Sequence, residues 1–386
     1  MSTETVQPVQ ANNRTAIVDI LRGWAILGVV IGNYTDYTFI GKPLVIKPDV
    51  VSNILQFVNQ FFFAAKSWTM LSLLFGYGFA VVMDKMKQQG KNPLTFFSKR
   101  MFWLLVIALV NSAFWFGDIL KDYALLGFLL MLCHNISGKK ALICAIILLV
   151  MLPFIQAWVA YALPYDYMGA VTKQVLPTLY GSSFTDVFIA QLKGTYYLQI
   201  ILPQYAISVH VMMFACMLLG LAAQRIDFFN NLSVFKKKIK TTFYIAWITT
   251  IVLAVLLTIA GDLKLFTYMR PRYWLIFATM ISILTGICWL YTNEKLKLFF
   301  DGLQAMGKMT LSNYMAQNIM AVFIFLNVGL GLFNTMPFWF YFTAAVVVFI
   351  LQIFLSKWWL SKFNYGPVEW IWRQLSYGKR LPLKKQ

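Results

Sequence analysis

Residues 19–34 read DILRGWAILGVVIGNY. An aspartate and an arginine three residues apart open an otherwise apolar run, and an asparagine follows eleven residues after the arginine. A helix needs about 20 apolar residues to cross the hydrocarbon core, so this run predicts a spanning helix and a membrane fold. Polar side chains in such a helix are costly against lipid and must face other protein or a water-filled cavity. At about 100° per residue, Arg22 and Asn33 lie about 20° apart around the helix. Asp19, Ile26, Val29 and Asp36 fall within about 60° of the same line, which makes a polar stripe about 25 Å long.

The rest of the chain is of the same kind. Hydrophobic residues make up 60% of the 386 and charged ones 12%, with a mean hydropathy of +0.68, which excludes an ordinary soluble globular protein. Lysine and arginine number 33 against 14 acidic residues. A nucleic-acid binder would show such a surplus, but these basic residues fall between hydrophobic runs, as in loops held on one side of a membrane, so no nucleic-acid partner is expected. Cys133, Cys144, Cys216 and Cys288 show no paired spacing, and neither a disulfide framework nor a metal site is expected. Residues 1–15 form a polar tail with no cleavage signal behind the first apolar run, which reads as a retained span.

The chain therefore reads as all-α, a polytopic helical bundle forming one transmembrane domain over residues 1–386. Ten spans are expected, at roughly 16–40, 54–83, 97–117, 120–135, 141–162, 199–224, 241–261, 271–292, 309–333 and 337–361. The fourth is short and the second long, with a break expected near Lys66. Every second connection is basic (Lys85 to Arg100, Lys139 and Lys140, Arg225 to Lys240, Lys295 to Lys308, and the tail), which predicts both termini to be cytoplasmic. Loops 41–53, 118–122, 163–198, 262–270 and 334–336 then face outside. Loop 163–198 is the one long connection, either tyrosines packed at headgroup depth or a lid over a cavity. Residues 199–386 make the C-terminal part. Within it GPVEWIWRQLSYGKR, 366–380, lies in an interfacial tail over 364–386, where Glu369 is expected to meet a basic loop group.

Four groups of residues are candidates for chemistry. Asp19 and Arg22 either neutralise each other or present a two-pronged guanidinium to a phosphate or carboxylate. In GKMTLSNYMAQNIM, 307–320, Asn313 and Gln317 share a helix face, flanked by Ser312, Tyr314 and Asn318, and serve either as glue between helices or as a cavity lining. Asp118, Lys121 and Asp122 fall in one turn of GDILKDYALLG, 117–127, either as a solvated cap or as an outer substrate site helped by Arg270 and Arg272. His210 is the single imidazole within a span, a packing histidine or a proton carrier; with Asp36 it is the candidate catalytic group.

DILRGWAILGVVIGN at 19–33, LLFGYGF at 73–79, GDILKDYALLG at 117–127 and GKMTLSNYMAQN at 307–318 with the tail motif together resemble the domain of unknown function number 418 family, the YeiB-like bacterial membrane proteins. That family is similar to transmembrane acyltransferases, whose first span resembles LDxLRGxAxxxVxxxH. Arg22, Gly23 and Asp19 match it, but its histidine falls at Asn33, and an amide cannot act as a general base. The resemblance implies an inner-membrane protein handling an acyl, lipid-linked or other amphiphilic or anionic substrate among membrane lipids, with acyl-coenzyme A entering beside Arg22; read from the residues themselves, Asp19, Arg22, Asn33, Asp118, Asn313 and Gln317 are the candidate substrate-binding groups. A transporter of a small or amphiphilic solute, and a noncatalytic sensor or scaffold, are the alternatives.

Overall fold

The computed structural model describes residues 15–38, 49–259 and 265–385. Most of the polar tail 1–15 and parts of the expected outer loops 41–53 and 262–270 lie outside the described residues. Within them the chain is helical: α1 (Ala16–Asp36), α2 (Val50–Val58), α3 (Lys66–Gln88), α4 (Pro93–Ser112), α5 (Leu120–Met131) and α6 (Gly138–Ala162) come first. The expected break precedes Lys66: a wide π turn, Asn59–Phe63, leads to Ala65, held at φ +66°, and α3 starts anew. Residues 163–198 are not an open loop. They fold into α7 (Tyr167–Ala170), α8 (Leu176–Leu179) and α9 (Phe184–Thr195), with π turns at Val171–Val175 and Tyr196–Ile200.

A fourth π segment, Gln204–Val209, runs into α10 (His210–Arg225), followed by α11 (Leu232–Ile259), α12 (Leu265–Tyr268), α13 (Arg272–Thr292), α14 (Lys297–Lys308), α15 (Thr310–Phe325), α16 (Phe338–Lys362) and α17 (Pro367–Tyr377). Eight helices among the described residues are long and apolar enough to cross a membrane. The expected fourth and ninth spans fall short, because α5 has 12 residues and α15 has 16. The stretch 326–337, with Gly329 and Gly331, ends α15 early. Backwards, only Met309 separates α15 from α14, which the charges Lys297, Asp301 and Lys308 disguised as a loop while it buries Phe300, Leu303 and Met306.

Two crossings set the core, each made by reciprocal glycines. A Cβ on Gly23 of α1 would lie 2.0 Å from the Leu303 carbonyl oxygen of α14, and one on Gly307 of α14 would lie 1.7 Å from the Asp19 oxygen. Likewise Gly76 of α3 abuts Met217, and Gly220 of α10 abuts Leu73. Only hydrogen side chains let two backbones approach so closely, the usual device of packing in lipid. Outside this core α11 leaves Ile245, Ile248, Val252 and Val255 exposed, the surface a helix turns to acyl chains.

Contacts gather the basic connections at one end. Arg225 donates to Asp84 at 2.9 Å, Lys87 to Asn135 at 3.0 Å, and the Trp372 indole of α17 to the Arg100 carbonyl at 2.9 Å. At the opposite end Tyr37 packs on Trp115, Phe325 and Phe333, and Tyr180 closes on Phe333. Gly366 and Pro367 do break the chain between α16 and α17, but among the described residues Glu369 pairs with no basic group. It accepts from the backbone N–H groups of Leu311 and Ser312 at 2.6 and 3.1 Å, capping α15. A helix start offers unpaired N–H groups and positive dipole, so a carboxylate needs no cation there.

Candidate functional site

The polar stripe of α1 faces three cavities. The Arg22 cavity, about 180 Å³, is walled by Ile26, Leu71, Phe75, Leu104, Tyr123 and Trp372 among others, with Arg22, Lys308 and Glu369 adding charge. The Asp19 cavity, about 190 Å³, lies on the other side of Phe75 and Trp372, which border both. The Asn33 cavity, about 370 Å³, holds Gly28, Gly32, Asn33 and Asp36 of α1 and, from the π segments, Asn59, Gln199 and Tyr205. π turns displace side chains from the helical register and recur at functional sites. Ile119 and Tyr314 border both the Arg22 and Asn33 cavities and stand between them.

Against that partition lies a buried charged network. Asn33 donates to Asn318 at 3.1 Å, Asn318 to Asn111 at 3.3 Å, and Asn111 to Asp118 at 2.8 Å. The Lys121 ammonium donates to the Asp118 carbonyl at 2.7 Å, to Asp122 at 3.2 Å, and to Gln199. Asp122 also accepts from Tyr205 at 2.6 Å and faces His210 Nε2 at 3.1 Å. Asp118, Lys121 and Asp122 are 0%, 6% and 1% exposed, so the solvated-cap reading is overturned. Arg270, whose backbone N–H donates to the Pro153 carbonyl of α6, and Arg272, at the start of α13, are exposed and do not join them.

His210 Nδ1 lies 2.9 Å from the Ala206 carbonyl oxygen, which only accepts, so Nδ1 carries a proton. Nε2 faces a carboxylate, so a second proton sits on Nε2 or on Asp122. Histidine and aspartate thus share one proton beyond the neutral ring. With Lys121 and Asp118 the charges balance wherever that proton sits, as a buried cluster requires. Both ring nitrogens are occupied, which leaves His210 no lone pair for a substrate.

Asn313 and Gln317 sit elsewhere. Asn313 donates to Ser356 at 3.0 Å and Gln317 to Gln352 at 2.6 Å, both on α16, while Gln352 donates back to the Asn313 carbonyl at 3.0 Å. They border none of the three cavities. Their glue alternative is the one this geometry matches. Asp19 and Arg22 are paired at 3.2 Å, with the arginine 31% exposed and the aspartate 3%. Sequence reasoning missed Asn111, Gln199 and Tyr205 altogether. A lone amide inside an apolar span was the available signal for Asn111.

Residues 223–379 match the family model described as "Protein of unknown function (DUF418)". Over that stretch the chain is similar to the DUF418 family. It is 26% identical to the "Uncharacterized protein YxaH" of Bacillus subtilis (strain 168), over 99% of each chain. It is 22% identical to an "Uncharacterized 39.9 kDa protein in amylase 3'region" of Bacillus acidopullulyticus, again over 99% of each. To the "Uncharacterized protein YeiB" of Escherichia coli (strain K12) it is 35% identical over 71 residues, 18% of each. None of these names assigns an activity, and no solved structure matches. The DUF418 match covers Tyr314, Asn318, Glu369 and Trp372, whereas α1 and the Asp118–Asp122 turn precede it.

Proposed function

We propose that this is an acyltransferase-like protein of the bacterial inner membrane, which takes an amphiphilic anionic donor of the acyl-coenzyme A class at the Arg22 cavity and an acceptor at the Asn33 cavity. The observation that carries the reading is the meeting of those two cavities at Tyr314 and Ile119 along one face of α1. An apolar slot with Arg22 and Lys308 in its wall suits an acyl or pantetheine arm behind an anionic head. With Asn33 and His210 unable to accept a proton, Asp36, the one carboxylate among the described residues of the Asn33 cavity's walls and exposed to it, takes the base role. The acceptor hydroxyl gives its proton to Asp36, its oxygen bonds the acyl carbon, and the thioester C–S bond breaks, releasing coenzyme A thiolate.

Arg22→Lys keeps the charge and loses the planar fork, so acyl-coenzyme A binding to protein in nanodiscs weakens by about 1–3 kcal/mol. Arg22→Ala does more, because Asp19 is left with an uncompensated charge. Asp36→Asn lowers coenzyme A release by about 10²-fold or more with binding intact. Equal binding by wild type and both Arg22 variants removes the donor site. The basic end is taken as cytoplasmic: cysteines placed at Lys87 and Lys238 label from inside and one at Tyr180 from outside, and finding Lys238 and Tyr180 on one side sinks this orientation.

One observation favours transport as a second reading. A single layer, Tyr314 and Ile119, divides the two cavities beside a charge-balanced cluster that shares a proton, which is how a carrier couples a solute to a gradient. Proteoliposomes that accumulate an anionic amphiphile under a pH gradient without releasing coenzyme A decide for it.

A further inference from the structure

The Asn33 cavity, assigned above to the acceptor, has walls that select by charge. Among its described residues Asp36 is the one carboxylate and no lysine, arginine or histidine lines it, while Phe63, Trp68, Trp115, Phe116 and Tyr167 add five aromatic rings. Asp36 takes part in no hydrogen bond or ion pair among the described residues. Burial and then the Asp36 charge push the Tyr167 phenol up, which places that ring near the carboxylate. The buried cations of this region are turned away: Lys66, between the wall residues Ala65 and Ser67, donates to the Gln60 carbonyl, and Lys121 to the Asp118 carbonyl, Asp122 and Gln199. An unpaired carboxylate in a largely apolar wall favours a cation, and aromatic faces attract the same charge. Two buried polar atoms add an independent sign. Thr35 gives its hydroxyl proton to the Ile31 carbonyl at 2.8 Å, so its oxygen accepts from Asn59 Nδ2 at 3.0 Å and Asn59 Oδ1 points the other way. Asn59 is 7% exposed, and that Oδ1 has no donor among the described residues. Trp115, 2% exposed, likewise has an unpartnered indole N–H, and Gly117 keeps the space beside it clear: a Cβ there would lie 2.5 Å from Trp115 Nε1. One atom lacks a donor and the other an acceptor, so a ligand that satisfies both carries an N–H and an oxygen.

We infer that the Asn33 cavity selects an amino alcohol, whose ammonium group lies among the rings facing Asp36 and donates to Asn59 Oδ1, and whose hydroxyl oxygen accepts from the Trp115 indole. The hydroxyl's own proton is then free to go to Asp36, the base of the proposed reaction. The inference rests on that reading for the fate of the hydroxyl and names its class of acceptor; the binding half stands without it. A neutral polyol meets the two polar atoms equally well but leaves the Asp36 charge without a counterion, which is what separates the two ligands. A small soluble amino alcohol and a long-chain one dissolved in the membrane share this chemistry.

The test measures binding at neutral pH to the full-length protein in phosphatidylcholine nanodiscs, with 2-amino-1-decanol, its neutral counterpart 1,2-decanediol, and ethanolamine as probes. The long amino alcohol should bind at least tenfold tighter than the diol. Asp36→Asn should abolish that preference by weakening the amine alone, while Asp301→Asn, at an exposed position of α14, changes nothing. Tyr167→Leu should lower the preference severalfold, and Tyr167→Phe, which keeps the ring, should restore it. Trp115→Phe should weaken both long probes, since both offer a hydroxyl oxygen. Ethanolamine bound as tightly as 2-amino-1-decanol assigns the site to a soluble amino alcohol, and binding that needs the chain assigns it to one borne in the membrane. Thermal melting reports folding of each variant, and if Asp36→Asn does not fold, the Tyr167 pair decides. A wild type that holds the diol as tightly as the amino alcohol, or a preference that survives Asp36→Asn, overturns the inference. An amine preference without release of coenzyme A from acyl-coenzyme A leaves the site standing and removes acyl transfer; release with both probes and no difference in their binding does the reverse.

Discussion

The two faces of α15 carry the same kind of side chain and do different things with it. Asn313 and Gln317, one turn apart, pair with Ser356 and Gln352 of α16 and close upon themselves. Tyr314 and Asn318, each one residue further on and so about 100° around the helix, face the Asn33–Asn111–Asp118 chain and the wall between two cavities. An amide in a membrane helix therefore carries no function by itself. What distinguishes the faces is the partner: neutral amides and a hydroxyl of α16 on one, charged groups adjoining a cavity on the other.

The largest effect is expected where charge is removed from the second face. Asp122→Ala leaves Lys121 and His210 with no carboxylate between them, and breaking a buried pair from one side costs about 3–5 kcal/mol. Unfolding in detergent, followed by the Tm, should show it. A loss under about 1 kcal/mol, the range of exposed pairs, would mean that water reaches the cluster. On the first face Gln317→Leu strands the Gln352 Oε1 atom and should cost about 1–3 kcal/mol. The double variant Gln317→Leu with Gln352→Leu should regain part of that, since removing both partners of a neutral bond is much cheaper. If the double variant is worse than the single, the ladder does more than join α15 to α16.

Much of the fold was legible because the signals were local. Apolar run length gave the spans, and Gly23, matched in the first-span motif, meets the α14 backbone. The break before Lys66 is where it was expected. What failed depended on distant partners. Asp118, Lys121 and Asp122 look like a solvated turn until α9, α10 and the π segments close over them. The charges of α14 conceal a helix whose Gly307 touches α1. Glu369 was expected to need a cation because the start of α15 was not recognised as its partner. For the site, the periodicity of α1 placed Arg22, Asn33 and Asp36 on one cavity-facing line. On α15 nothing local separated the pair Asn313 and Gln317 from the pair Tyr314 and Asn318.

Asn33→Ala is the smallest expected effect and the sharpest test of the contrast. Asn33 is half-buried at the wall of the largest of the three cavities, and its amide donates to Asn318 at 3.1 Å. Removing it frees Asn318 Oδ1 beside a space wide and polar enough for water, which can restore the bond at little cost. The expected loss is therefore under about 1 kcal/mol, at the low end for a single hydrogen bond. Gln317→Leu has no such refuge, because Gln317 and Gln352 are 1% and 3% exposed. Measured side by side in the same detergent, the two variants should differ clearly in Tm. Equal losses would show that the cavity face is as closed as the glue face, and Asn33 would then belong to helix packing and not to a substrate's path.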